Sequence, residues 1–236
     1  MKVFLLMLTK PMLFAKKIAI RFRLIYKLYI LRDELALELK RWFKNRGDET
    51  LRLDYPELNE NSVVFDLGGY KGDFAQAINE KYGCTVYLFE PHPNFYESCV
   101  KRFEANHKVI SLNYGLSDKD GRFILSDNVN GSSFSNLNHQ DKNGILCEVK
   151  EIFQTLDILS VSEIDLMKIN IEGGEYSVLL HMINEGKLSL VTNYQIQFHN
   201  FVSDARYLRN KITEALTKTH KRTWCYTFVW ENWRKK

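Results

Sequence analysis

Residues 63–78 read VVFDLGGYKGDFAQAI, and no other stretch of the chain limits its fold as tightly. A short apolar run, Val63, Val64 and Phe65, closes on Asp66. Gly68, Gly69 and Gly72 follow within five positions, and an amphipathic helical pattern resumes at Phe74, Ala77 and Ile78. A buried strand, a glycine turn and a helix in that order form the opening unit of a parallel α/β sheet, with a ligand crevice at the strand's carboxyl end.

The glycine spacing narrows the ligand. A dinucleotide fingerprint needs glycines at relative positions 1, 3 and 6, and a P-loop needs Gly-Lys-Ser/Thr, whereas Lys71, Gly72 and Asp73 stand in the inverted order. What remains is a tight turn whose missing Cβ atoms let backbone and ligand approach, followed by a helix N-terminus that receives a carboxylate. The amino-acid end of S-adenosylmethionine (SAM) has that chemistry. A second apolar run, Thr85 to Phe89, ends on Glu90 about 20 residues past the turn, where doubly wound folds place an acidic side chain against ribose hydroxyls. Pro91 then pins the chain in a turn beside the ligand.

With 236 residues the chain accommodates one α/β domain and an appendage. The pattern lapses around residues 45–61, so we place a basic helical extension at 1–58 and the main domain at 59–236. Further strands are expected at 109–113, 164–171 and 190–198, with a hairpin-like insert whose arms, 123–125 and 148–153, flank a Gly/Ser/Asn-rich loop. Strands alternating with helices predict a mainly parallel sheet covered on both faces, and right-handed crossovers bring the strand tips Asp66, Glu90, Asn170, Glu172 and His199 to one edge. Four scattered cysteines without a C-x-x-C pair argue against a disulfide framework or zinc site and for a reducing, cytoplasmic setting.

Charge is unevenly distributed. Residues 1–47 carry twelve Lys/Arg against three Asp/Glu, leaving 21 against 26 in the remainder. A mildly acidic main domain argues against nucleic acid as a partner. The apolar run at 3–8 is too short to span a bilayer and no cleavage site follows it, so no secretion signal is expected. Between residues 16 and 43, Leu24, Leu28, Leu31, Leu35, Leu39 and Trp42 trace one helical stripe. Such a helix packs on its own domain, pairs with a second copy, lies on an anionic membrane at the inner face, or serves as an N-terminal arm for nucleic acid, and these readings remain open.

Taken together, VFDLGGYKG (64–72), FEPHP (89–93), GLSDKDG (115–121), Ser132-Ser133, TLDIL (155–159), IDLMKINIEGGE (164–175) and QIQFHN (195–200) resemble the FkbM family of SAM-dependent methyltransferases over about residues 62–201. The resemblance implies a Rossmann-like class I methyltransferase fold with a seven-stranded sheet, SAM as cofactor, and methyl transfer to a hydroxyl of a sugar, glycan or related polyol. It implies that Asp66, Gly68 and Gly72 hold the methionine part of SAM and that Glu90 holds the ribose. Gly69, Pro91 and Ser117 are counted with them on the cofactor side. Two positions depart from the family pattern: Asn170 stands where KIDVEG has Asp, and Gln197 where a Glu often precedes the His. Both changes remove anionic ligands that a hard cation prefers, so no metal is expected.

Methyl transfer needs an aligned acceptor and a proton acceptor, and His199 is the candidate base, with Glu172 and Asn170 beside it. Glu175 is assigned to the N-terminus of the following helix, and Lys168 to a buried partner or the crevice mouth. The other readings are a non-catalytic scaffold working through its N-terminal helix and a nicotinamide-dependent oxidoreductase.

Overall fold

The computed structural model describes residues 31, 33–125, 134–135 and 144–236. Along the chain, α1 (Glu34–Lys44) and a single turn, α2 (Gly47–Thr50), precede β1 (Val63–Leu67), α3 (Asp73–Tyr82), β2 (Thr85–Phe89), α4 (Pro93–Arg102) and β3 (Val109–Leu112). Then come β4 (Gly115–Ser117), β5 (Gly121–Leu125), β6 (Phe134–Ser135) and β7 (Ile145–Glu151). The chain continues with α5 (Ile152–Leu159), β8 (Ile164–Ile169), α6 (Glu175–Asn184), β9 (Val191–Ile196), α7 (Ala205–Thr219), β10 (His220–Tyr226) and β11 (Trp230–Lys235).

Seven strands form one sheet in the order β10-β11-β9-β8-β1-β2-β3, parallel except for β11, which runs against both its neighbours. This is the mainly parallel, seven-stranded sheet expected. The order reverses between β1 and β8, so the crevice of a doubly wound sheet opens at their carboxyl ends. Side chains alternate between faces along each strand. Phe65, Leu67, Met167, Ile169 and Tyr194 pack with Val178, Leu179, Ile212 and Leu216 of α6 and α7. Val64, Val86, Leu88 and Leu166 pack with Phe74, Ala75 and Ile78 of α3 on the other side. Fully burying each such side chain stabilises the fold by roughly 1.5–3 kcal/mol, and Phe65→Ala in this doubly covered sheet costs about 3–5 kcal/mol.

β4, β7, β5 and β6 make a second, four-stranded sheet, in which β5 and β7 form the hairpin expected of the insert. Most of its connecting loop lies outside the described residues. Residues 152–153 were expected to extend the second arm and instead open α5. The Glu151 carboxylate accepts hydrogen bonds from Phe153 N (3.0 Å) and Gln154 N (2.7 Å), satisfying amides of the helix's first turn and ending the strand.

Of the stripe at 16–43, residues 31 and 33–43 are described, and the helix among them begins at Glu34. There, Asp33 caps α1 by accepting from Ala36 N at 2.8 Å, and Leu35, Leu39 and Trp42 turn onto the chain's own β10–β11 hairpin. Trp42 is buried, with its ring 5.1 Å from Tyr226 and its indole N–H donating to Asp48. Tyr226 and Trp230 are buried in this contact, and Trp233 is buried in the main core of the sheet. A polar junction joins residues 52–55 to the sheet: Gln195 Nε2 donates to Arg52 O and to Tyr55 Oη, and Tyr55 Oη donates to Asn232. Among the described residues no helix is long and apolar enough to cross a membrane.

Candidate active site

The site is assembled from strand tips. At the end of β1, Gly68 N and Gly69 N both donate to Phe89 O (3.0 and 3.2 Å), tying the glycine turn to β2. Gly68 has φ +80°, and a Cβ there would lie 2.0 Å from Asn170 O, so only glycine lets this turn meet the end of β8. Gly72, with φ +81°, caps α3 where a Cβ would meet the Phe103 ring, and Gly69 lies over Leu88. The glycines therefore answer to the protein's own packing as well as to any ligand.

Glu90 closes the other side. Its buried carboxylate accepts hydrogen bonds from Tyr70 N (2.7 Å) and His92 N (2.9 Å), which joins the β1 and β2 loops. Burial pushes its pKa up to about 7, against the pull of those two amides. Between these loops lies a pocket of about 130 Å³ whose polar side is formed by Gly68, Glu90, Pro91, His92, Asn170 and Glu172. Its apolar side comes from Phe95, Leu116, Ile171 and, from the small sheet, Phe123, Leu125 and Val149. Two buried atoms of pocket residues, Asn170 Oδ1 and His92 Nδ1, have no hydrogen-bond partner among the described residues. Buried polar atoms rarely stay unsatisfied, so a ligand offering hydroxyl or amino groups fits this lining.

His199 follows β9. Its backbone N–H donates to Glu175 Oε1 at 2.8 Å, and its ring Nδ1 lies 3.1 Å from the same oxygen. Glu175 is fully buried, and its other oxygen accepts from Gly173 N at 2.8 Å. A buried carboxylate at Nδ1 makes that nitrogen the donor, so in the neutral ring Nε2 carries the lone pair. Nε2 lies 3.4 Å from Glu172 Oε2, and Glu172 lines the pocket. Burial disfavours the charged ring, but the hydrogen bond and charge of Glu175 and the charge of Glu172 outweigh it and raise the His199 pKa above its usual 6.5. Glu172 (φ +48°) and Tyr70 (φ +50°), both pocket residues, hold left-handed backbone conformations that non-glycine residues avoid. A separate open groove of about 820 Å³ has Asn200, the residue after His199, together with Asp204, Tyr207, Asn210 and Phe228 in its walls.

Of the expected residues, Gly68, Glu90, Pro91, Asn170 and Glu172 meet at the pocket, and His199 reaches it through Glu172. Asp66 is wholly buried and faces Lys168 across 2.8 Å, away from the pocket. Ser117 ends β4 with its hydroxyl donating to Asp118, while Gly115 and Leu116 of that strand do line the pocket. Sequence reasoning passed over His92, although FEPHP places it two residues past Glu90. Glu175 is the first residue of α6, in keeping with its helix-terminal assignment, and its carboxylate also holds His199.

Comparisons with known proteins identify the family and the fold. A family model described as the methyltransferase FkbM domain matches residues 66–222. A phosphoethanolamine N-methyltransferase from Plasmodium falciparum is 39% identical over 54 residues, 23% of this chain and 20% of that protein, so the match spans about a fifth of its length. Among solved structures, a putative rRNA methylase from Clostridium thermocellum aligns with TM-score 0.50 and 8% identity over 81% of this chain and 94% of that one. An rRNA methylase from Streptococcus thermophilus aligns with TM-score 0.46 and 13% identity over 75% and 89%. The expectation that nucleic acid is excluded as a partner is corrected here. The same fold occurs in that putative rRNA methylase, so a mildly acidic main domain gives no ground for the exclusion, and none of these matches points to a glycan.

Proposed function

From the premise that the chain belongs to the FkbM family of SAM-dependent methyltransferases, we propose that it transfers the methyl group to a hydroxyl oxygen, with His199 as the base. When bound, SAM supplies a methyl group on a cationic sulfur, open to in-line displacement by an oxygen nucleophile. Glu90, Asn170 and His92 are the side chains suited to its polar groups, and Phe95, Leu116, Phe123 and Val149 to its apolar ring faces.

The observation that carries the reading is the seating of His199 between two carboxylates, one of which borders the cofactor pocket. Glu175 fixes Nδ1 as donor and leaves Nε2 to take the acceptor's proton, and its charge stabilises the imidazolium that results. Glu172 sits beside Nε2, where it can accept a hydrogen bond from the hydroxyl or from the protonated ring. The separate groove supports an acceptor rich in hydroxyls, since Asn200, Asp204 and Asn210 offer hydrogen bonds beside the exposed Tyr207 ring. The acceptor class is thus a sugar or related polyol hydroxyl, and a nucleotide ribose falls within it.

The test is transfer of a tritiated methyl group from SAM to a panel of sugars, polyols and RNA, by wild type and His199→Asn. The expected result is label on oxygen, with the variant slower by about 10²–10⁴-fold, as for loss of a general base. Label on nitrogen, or full activity in the variant, contradicts the reading.

A further inference from the structure

Lys168 lies near the end of β8 among apolar neighbours, with 3% of its surface exposed. An ammonium in such a place needs its N–H groups satisfied. Its Nζ lies 2.8 Å from Gly68 O, 3.4 Å from Leu67 O and 2.8 Å from Asp66 Oδ1, so all three partners belong to β1 and the first residue of its turn. The Asp66 contact is an ion pair, and among the described residues neither carboxylate oxygen accepts a hydrogen bond in good geometry. Burial lowers the lysine's pKa, and the Asp66 charge opposes that.

The same peptide group is held from its other side. Gly68 O belongs to the Gly68–Gly69 peptide, whose N–H donates to Phe89 O of β2 at 3.2 Å. The peptide at the mouth of the pocket is thus clamped between β8, through a side chain, and β2, through a carbonyl. Replacing a buried ion pair by apolar residues of similar volume is often neutral or stabilising, so stability alone does not account for two charges beneath this turn.

We propose that Lys168, charge-balanced by Asp66, is a positioning residue that sets the orientation of the Gly68–Gly69 peptide for the amino-acid end of the cofactor. Asp66 accordingly serves the cofactor through Lys168 and not by touching it. This rests on the reading above that the Gly68 crevice receives SAM.

The test compares S-adenosylhomocysteine with 5′-methylthioadenosine, which shares its nucleoside and lacks the amino-acid end. Both are titrated calorimetrically into wild type, Lys168→Arg and the neutral double variant Asp66→Asn/Lys168→Met, which leaves no charge unpaired. In each variant that retains a cooperative unfolding transition, S-adenosylhomocysteine binding should weaken by roughly tenfold or more, the scale of a lost hydrogen bond to a charged group, and 5′-methylthioadenosine binding should stay within about twofold. Amide exchange at Gly69 and Tyr70 should also accelerate in the unliganded variants relative to Phe65, a local effect that general destabilisation does not produce. Unchanged S-adenosylhomocysteine affinity, or equal weakening of both ligands with uniform exchange, overturns the proposal. Wild type that binds neither ligand overturns the cofactor reading itself, and the positioning role with it.

Discussion

Glu175 Oε1 takes both the backbone N–H of His199, at 2.8 Å, and its ring Nδ1, at 3.1 Å. One buried carboxylate on α6 therefore sets the position and the tautomer of the imidazole after β9. Glu175→Gln keeps the shape and removes the charge that holds the His199 pKa above its usual value. The ring must be neutral to accept a proton, so activity rises with pH through that pKa. In the variant the acid limb of the kcat/KM profile should move to lower pH. The plateau should fall by up to about 10²-fold, as for a misplaced catalytic group. A pH profile with an unmoved acid limb removes Glu175 from this role.

Glu90 makes a separate prediction about stability. Its folded-state pKa is raised to about 7 from the usual 4.5, so the folded protein binds more protons than the unfolded chain between those values. Its contribution is most favourable below about pH 4.5 and is lost as pH rises through about 7, a change of roughly 3 kcal/mol at most. Urea unfolding across that range should show a flatter pH dependence for Glu90→Gln than for wild type. Equal slopes contradict the burial of an ionisable group here.

At Gly68, alanine must adopt φ near +80° and place its Cβ against Asn170 O. The backbone strain alone costs about 1–3 kcal/mol. The clash adds to it by separating β1 from β8, so Gly68→Ala should lower the melting temperature and abolish cofactor binding together. A variant that melts and binds as wild type shows that the turn is free to move.

Arg209 and Glu231 form a two-bond ion pair at 2.9 Å, buried between α7 and β11. Arg209→Met strands the carboxylate and should destabilise by about 3–5 kcal/mol. The double change with Glu231→Leu should recover most of that loss. Chemical denaturation of the two variants separates these outcomes.

Strand tips were the legible part of the site. Each of β1, β2 and β8 is an apolar run ending near a polar residue, and that local pattern was enough to bring Glu90, Asn170 and Glu172 to one edge. The apolar wall was not legible, because Phe123, Leu125 and Val149 reach the pocket through pairing in the second sheet, which depends on partners distant in sequence. The separate roles of Glu172 and Glu175 were hidden for a related reason. They are three residues apart, and the turn at Glu172 and Gly173, both with positive φ, leaves Glu175 buried against His199 and Glu172 at the pocket. Trp42 gave only a helical stripe in sequence, and its seat on Tyr226 became visible once β10 and β11 had paired.

The most direct measurement is calorimetric titration of the folded protein with S-adenosylhomocysteine, alongside Glu90→Ala. The account predicts one site of micromolar affinity, weakened roughly 10- to 100-fold in the variant, which loses a charged hydrogen-bond acceptor. Absence of binding to a cooperatively folded wild type, or equal binding by the variant, would contradict the placement of the cofactor between Gly68 and Glu90.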